Sequence, residues 1–169
     1  MGAAQVIDQA IERMTDKEGK YLTFTLANED YGIGILKVKE IIGMMAVTKV
    51  PRCPDFVKGV INLRGKVIPV MDLRMRFGVD ASGYTERTCI VVVEIETESK
   101  SIVLGLIVDS VSEVLNIKSE DIEETPEFGT NVGTDYILGM AKTSGRVKIL
   151  LDIEKVLEAD EIGQARADA

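Results

Sequence analysis

Residues 32–41 read GIGILKVKEI, and residues 105–114 read GLIVDSVSEV. Both stretches fit one pattern, G-[IL]-x-[IV]-x-x-V-x-E-[IV], at an offset of 73 residues. Further matches follow in the same order, beginning with Pro54-Asp55-Phe56 and Pro126-Glu127-Phe128. The remaining matches have an offset of 80 residues: Gly59 with Gly139, Gly65-Lys66-Val67 with Gly145-Arg146-Val147, and Val70-Met71-Asp72-Leu73 with Leu150-Leu151-Asp152-Ile153. An ordered series of matches predicts a duplicated folding unit.

Length and composition set the class of protein. The chain has 169 residues, of which 46% are hydrophobic, which is enough for one domain or two small halves. Its apolar runs are strand-sized, shorter than the ~18 residues of a membrane span, and no signal-peptide pattern opens the chain. Two cysteines make no disulfide framework. We therefore expect a soluble protein of the reducing cytoplasm with no direct membrane insertion.

The charge is acidic overall but unevenly distributed. A net charge of −8 argues against nucleic-acid binding. Residues 49–76 carry seven basic and two acidic side chains, whereas residues 113–127 carry six acidic side chains and one lysine. Two interpretations stay open, namely two solvated faces or a polarised surface that orients protein partners.

Short strands separated by glycine-rich turns predict a mostly β protein. We expect strands at 21–26, 31–36, 66–71, 89–95, 101–108 and 146–151, and short helices at 73–77 and 153–157. Pro69 predicts that its strand is an edge or bulged strand. Residues 78–87 are the expected linker between the halves, and Ile7, Ile11 and Met14 fit a weak terminal helix. Each half is too small for a large open sheet, so two packed barrels are predicted.

The sequence offers little for catalysis. There is no histidine, which removes the commonest general base and metal ligand. Asp72, Asp109 and Asp152 could form a carboxylate cluster, but Asp72 and Asp152 are equivalent positions before helical segments, and an N-cap role explains both. We expect no enzyme activity, cofactor or metal.

The clearest difference between the copies precedes the repeated glycine. The first copy has Asn62-Leu63-Arg64-Gly65, and the second has Lys142-Thr143-Ser144-Gly145. Asn and Gly fit a tight turn, and Arg64 could be its solvated tip. A turn needs no arginine, however, and the planar fork and aliphatic stem of arginine also suit a protein interface.

Together these residues resemble the CheW family of chemotaxis coupling proteins. The resemblance covers residues 20–158, leaving an extension at 1–19 and a tail at 159–169, with sequence copies at about 21–77 and 88–157. The matching positions are Phe24, Leu26, Glu29, Tyr31-Gly32-Ile33, Val38, Glu40-Ile41, Phe56, Lys58-Gly59-Val60, Asn62-Leu63-Arg64-Gly65, Val67-Ile68-Pro69-Val70 and Asp72-Leu73, continued in the second half by Gly105 to Asp109, Val111, Val114-Leu115, Gly145-Arg146 and Leu151-Asp152-Ile153.

The resemblance implies a mainly β fold of two intertwined, SH3-like, five-stranded β-barrels with short helices. It implies a non-catalytic adaptor that couples the cytoplasmic helical tip of a chemoreceptor to the regulatory domain of the histidine kinase CheA, recruited from the cytoplasm to receptor arrays. A CheW-like scaffold of another chemosensory pathway, for surface motility or development, is the alternative. The receptor-binding positions implied, in a groove between the barrels, are Val38, Glu40, Gly59, Asn62, Arg64 and Val108.

Overall fold

The secondary structure is mostly β, as the sequence predicts. A computed structural model describes residues 17–79, 83–96, 99–126 and 136–157. The strands are β1 Gly19–Leu26, β2 Glu29–Gly34, β3 Val38–Gly43, β4 Val57–Leu63, β5 Lys66–Asp72, β6 Cys89–Glu96, β7 Ser101–Val108, β8 Ser110–Ile117, β9 Ile122–Glu123, β10 Ile137–Thr143 and β11 Arg146–Leu151. The helices are α1 Leu73–Arg76 and α2 Ile153–Val156, and short 3₁₀ turns occupy Ile35–Lys37 and Ser119–Asp121. The predicted terminal helix near Ile7 lies outside the described residues.

The two sheets each combine strands from both sequence copies. Barrel A has the strand order β8-β1-β2-β11-β10-β9, and barrel B has the order β3-β6-β7-β5-β4. The first copy therefore gives its opening hairpin, β1–β2, to barrel A and its remaining strands to barrel B. The second copy gives β6–β7 to barrel B and the rest to barrel A. The two SH3-like barrels are built by this exchange of hairpins.

The register of the strands shows that the duplication is structural. Gly32 on β2 lies opposite Leu150 on β11 in a parallel pair, and Gly105 on β7 lies opposite Val70 on β5 in the same arrangement. A Cβ atom added at Gly105 would lie 2.6 Å from Ile90 Cγ2, and one at Gly32 would lie 3.0 Å from Leu150 Cδ2. Close approach of a neighbouring side chain therefore explains why glycine begins the repeated pattern.

One of the predicted sequence matches is wrong. The N–H of Asp72 donates to the carbonyl of Phe56 at 2.7 Å, and the N–H of Asp152 donates to the carbonyl of Tyr136 at 2.8 Å. Tyr136, not Phe128, is thus the structural counterpart of Phe56. The Pro-acid-Phe likeness misaligned the copies because the second copy has more residues before β10 than the first copy has before β4.

The position of Pro69 also differs from the expectation. Its strand, β5, is interior, with β4 on one side and β7 on the other, and the bulge lies in β4 between Val57 and Gly59. Val60, opposite Pro69, directs its own N–H and carbonyl away from β5 to Thr48. In such a non-hydrogen-bonded pair the imide nitrogen of Pro69 faces the β7 side, where the ladder begins only at Val70. No ladder bond is therefore lost.

Both predicted helix caps are confirmed, but they differ in their surroundings. The Asp72 carboxylate accepts the N–H of Arg74 at 3.0 Å, and the Asp152 carboxylate accepts the N–H of Glu154 at 3.2 Å. The guanidinium of Arg74 is buried, donating to Asp72 at 2.9 Å and to Asp109 at 2.9 Å. Its hydrogen bond with Asp72 raises the pKa of Arg74. The expected carboxylate cluster is thus Asp72 and Asp109 joined by an arginine, without Asp152.

The largest apolar cluster joins the two barrels. It combines side chains of β1 and β2 with side chains of β6, β7, α1 and α2, so both sequence copies contribute to one shared seam. Smaller clusters fill the interior of each barrel. Inside barrel B the buried members are Ile61, Ile68, Val70, Ile90, Val92 and Ile107; inside barrel A they are Tyr21, Ile117, Ala141 and Leu150.

Candidate functional site

An ion pair on barrel B joins two of the predicted site residues. Nη2 of Arg64 lies 2.6 Å from both carboxylate oxygens of Glu40. Glu40 is held on β3, and Arg64 occupies the turn between β4 and β5. The side chain of Arg64 is 70% exposed and that of Glu40 is 30% exposed, so the pair is accessible to a partner.

The backbone of the turn gives no reason for an arginine. Arg64 has φ 52° and Gly65 has φ 89°, both in the left-handed region, as a two-residue hairpin turn requires. The side-chain oxygen of Asn62 accepts the N–H of Gly65 at 2.9 Å and closes the turn. A left-handed conformation costs a residue other than glycine about 1–2 kcal/mol, and Asn or Gly tolerates it best. The chain therefore places an arginine where the local conformation disfavours it, as is found at functional sites.

Beneath the ion pair lies a cleft of about 270 Å³. Its floor and walls are apolar, and charged side chains form its rim. The lining residues are Lys39, Glu40, Leu63, Arg64, Lys66, Ile68, Val92 and Val103. Beyond the rim, Lys39 contacts Glu94 at 3.5 Å, and the pKa of Glu94 is lowered by a hydrogen bond from Ser101 and then by Lys39. An apolar depression ringed by charge is suited to binding a protein side chain.

The remaining predicted site residues have different surroundings. Val38 is half-buried and packs against the shared seam. Asn62 is exposed and makes the turn bond described above. Gly59 has φ 139°, and a Cβ atom there would lie 2.0 Å from the carbonyl oxygen of Thr48, so the fold itself requires glycine. Its role in partner binding stays a prediction.

Val108, unlike the other predicted site residues, lies in the hydrophobic core. The side chain is fully buried, with 0% exposure, within the shared seam. It ends β7, immediately before the chain crosses from barrel B to barrel A, and its side chain faces inward. Val108 therefore cannot touch a partner in this conformation, and any effect of its substitution on binding would act through packing.

Four apolar residues of the cleft were missed by the sequence analysis. Leu63, Ile68, Val92 and Val103 look like ordinary strand residues, because strand-rich cores contain many such side chains. The available signal was a comparison of the copies at these positions, where the counterparts in barrel A are polar. That comparison requires knowing that β6 of barrel B corresponds to β1 of barrel A, which follows from the strand pairing of each barrel and not from the sequence repeat alone.

The basic stretch at residues 49–76 does not form one uniform face. Arg74 is buried in the ion pairs with Asp72 and Asp109, and the Arg76 guanidinium lies 5.5 Å from the centre of the Phe56 ring. Lys49 and Lys58 line a separate open groove of about 550 Å³ with Met44, Met45, Ala46, Val47 and Tyr84. Only some of the basic side chains of this stretch are therefore exposed to solvent beside the cleft.

Within the described residues, no group of three or more His, Cys, Asp or Glu side chains is arranged to hold a metal ion. In the same part of the chain, no helix has the length and hydrophobicity to cross a membrane. The fold is that of a duplicated β-barrel protein with an apolar cleft at its surface.

Comparison with known proteins gives this protein a family. The family model described as "CheW-like domain" matches residues 20–161. Chemotaxis protein CheW of Klebsiella aerogenes is 43% identical over 143 residues, which cover 85% of this chain and 84% of that protein. Chemotaxis protein CheW of Rhizobium meliloti is 32% identical over 152 residues, covering 90% and 96%. The crystal structure of scaffolding protein TtCheW from Thermoanaerobacter tengcongensis superposes with a TM-score of 0.74 at 38% identity, covering 85% of this chain and 95% of that one.

The chain belongs to the CheW-like family, and the prediction made from the motif residues is confirmed. The family is one of scaffolds and adaptors, and the function that these relatives support is that of a chemotaxis adaptor.

Proposed function

We propose that this protein couples the cytoplasmic helical tip of a chemoreceptor to the regulatory domain of the histidine kinase CheA, without catalysis of its own. In this proposal it works in the cytoplasm and joins membrane receptor arrays only through its partners. The receptor surface comprises Glu40, Arg64 and the adjoining cleft of barrel B, with Val38, Asn62 and Gly59 supporting them.

The Glu40–Arg64 pair carries this proposal. An exposed surface ion pair contributes little to stability, about 0–1 kcal/mol, so stability does not account for the strained arginine. Contact with a partner does, because an arginine fork held by one carboxylate can bind polar groups on a helix while its stem covers apolar surface. In the second copy the counterparts are Glu113 and Ser144, and a serine cannot form this ion pair.

The kinase contact is proposed to use other surfaces of the barrels, so that both partners bind at once. A ternary complex is the minimum requirement of an adaptor. Separate surfaces also predict that substitutions in the cleft impair one interaction and spare the other.

A reconstituted phosphorylation assay tests the proposal. Kinase autophosphorylation from labelled ATP is measured with receptor, without this protein and with it added. We expect receptor state to control the kinase only when the protein is present. Arg64→Ala serves as the matched variant, which should still bind the kinase while receptor control weakens. Equal receptor control in the absence of the protein would show that the coupling role is wrong.

A further inference from the structure

The cleft lies at the open end of barrel B. Its lining residues all belong to that barrel, and not to a groove between the two barrels as the family resemblance implies. Ile68 and Val92 form its floor, with 4% and 1% exposure, and belong to the barrel's interior cluster. Leu63 and Val103 are half-buried and form its walls. We call these four side chains the barrel B mouth.

Strand register identifies the same four positions in barrel A. Leu63 lies opposite Lys66 as Thr143 lies opposite Arg146. Val92 lies opposite Gly105 as Thr23 lies opposite Gly32. Extending both alignments along their strands pairs Leu63 with Thr143, Ile68 with Lys148, Val92 with Thr23 and Val103 with Asp30. Every apolar member of the barrel B mouth is therefore polar in barrel A.

In barrel A, two of the polar counterparts, Asp30 and Lys148, form an ion pair that Arg146 joins. Nζ of Lys148 lies 3.3 Å and Nε of Arg146 lies 3.2 Å from the same carboxylate oxygen of Asp30. Lys148 and Asp30 are only 13% and 12% exposed, so this ion cluster fills the end of the barrel. The hydroxyl of Thr23 donates to the carbonyl of Glu113 at 2.8 Å. An apolar side chain arriving here would have to displace paired charges, at a large desolvation cost.

The size and charge of the barrel B mouth indicate what it binds. Its volume of about 270 Å³ lies below the ~300–1,000 Å³ of small-molecule pockets, so an inserted side chain fits better than a cofactor. Its rim holds three basic residues, Lys39, Arg64 and Lys66, and one acidic residue, Glu40; Glu94, beyond the rim, contacts Lys39. Arg64 contacts Glu40 through Nη2 only, and its Nε and Nη1 donate to no acceptor among the described residues. These features fit a partner surface with an apolar anchor side chain beside a carboxylate.

We propose that the barrel B mouth seats an apolar anchor side chain of the receptor helix, and that the Asp30–Lys148–Arg146 cluster blocks the corresponding seat in barrel A. The duplicated fold then offers one receptor site per chain instead of two. This inference rests on the proposed function and adds its anchoring residues and its stoichiometry.

A forward graft tests the seat. Leu63→Thr/Val103→Asp transfers two barrel A residues into barrel B at half-buried positions. Titration calorimetry with a purified chemoreceptor cytoplasmic fragment should show affinity weakened at least about tenfold, because the anchor loses its apolar walls. The control, Val114→Thr/Val147→Asp, makes the same kinds of change at positions 48% and 51% exposed on barrel A, and receptor affinity should stay within about twofold.

A reverse graft tests the block. Asp30→Val/Thr143→Leu/Ser144→Arg/Lys148→Ile converts three of the four mouth counterparts in barrel A, leaving Thr23, and adds the rim arginine. Ser144 already has φ 48°, close to that of Arg64. The stoichiometry should rise from one receptor site per chain toward two. If this variant does not fold, Asp30→Val/Lys148→Ile removes the block with fewer changes and should give the same rise.

The outcomes separate the two proposals. An unmodified protein that fails to bind the receptor fragment would overturn the proposed function. Normal receptor binding by the unmodified protein and equally by the forward graft would overturn the seat and leave the coupling role standing. A folded reverse graft with one site per chain would overturn the claim that the ion cluster is what limits the chain to one site.

Discussion

Replacing Asp72 by alanine should destabilise the fold far more than the equivalent change at Asp152. Both aspartates cap a four-residue helix, and loss of an N-cap costs about 0.5–2 kcal/mol. Asp72 also accepts two guanidinium hydrogen bonds from Arg74, which is 2% exposed. Removing one partner of a buried ion pair costs about 3–5 kcal/mol. Because Asp109 still contacts Arg74, we expect about 3–5 kcal/mol in total for Asp72→Ala and about 0.5–2 kcal/mol for Asp152→Ala.

Urea unfolding at neutral pH measures the difference. With a denaturant slope of about 2 kcal/mol/M, the midpoint should fall by about 1.5–2.5 M for Asp72→Ala and by no more than about 1 M for Asp152→Ala. Partner binding by the folded fraction of either variant should be unchanged, since neither carboxylate lines the cleft.

A double variant checks the cause. Asp72→Ala/Arg74→Met removes the stranded guanidinium, and Asp109, which is 27% exposed, can then be hydrated. This variant should recover much of the stability lost by Asp72→Ala. Equal midpoint shifts for the two single alanine variants, or a double variant less stable than Asp72→Ala, would refute the reasoning.

Three further outcomes are expected. Arg64→Ala should weaken receptor binding by about 1–3 kcal/mol with little change in melting temperature or kinase affinity. Arg64→Lys should retain only part of the receptor affinity that Arg64→Ala loses. Equal losses of affinity for receptor and kinase in separate titrations would count against an Arg64–Glu40 receptor surface. Gly59→Ala should lower the melting temperature strongly because its Cβ would meet the Thr48 carbonyl, whereas Gly34→Ala, with open space around it, should not, as calorimetry would show. Burial raises the pKa of the Cys89 thiol. Its alkylation at neutral pH should therefore be slower than that of a model thiol and should accelerate only at higher pH. Labelling at neutral pH as fast as that of the model thiol would contradict this.

Local patterns in the sequence predict six of the eleven strands of the described residues and miss β3, β4, β8, β9 and β10. They also do not predict which strands share a barrel. The two strand-sized apolar runs at residues 89–95 and 101–108 predict a hairpin, and the structure has β6 and β7 there. That this hairpin lies beside β3 and β5 depends on long-range packing, which no local pattern records.

The residues of the candidate site likewise include some that the sequence predicts and some that only the strand pairing reveals. The difference between the copies identifies Arg64, because an arginine replaces serine in an otherwise equivalent turn. The same comparison could not identify Val92 or Val103, whose counterparts become clear only through strand register. The family position of Val108 does not indicate which way its side chain points, and in the structure it points into the seam. Its role in partner binding stays a prediction.

The exchange of hairpins has a consequence for how the chain is made. Thr23 on β1 bonds to Glu113 on β8, 90 residues later, so at typical ribosome speeds of ~5–20 residues per second the nascent β1–β2 ribbon waits roughly 5–20 s for its neighbour. During that time barrel B also lacks β6 and β7. Neither copy can mature as an independent unit, so a gene cut between them would yield two fragments that need each other to fold. Both copies of the duplication must therefore be kept together, because neither half can be lost, transferred or replaced by itself. The surface residues of each half can still change independently.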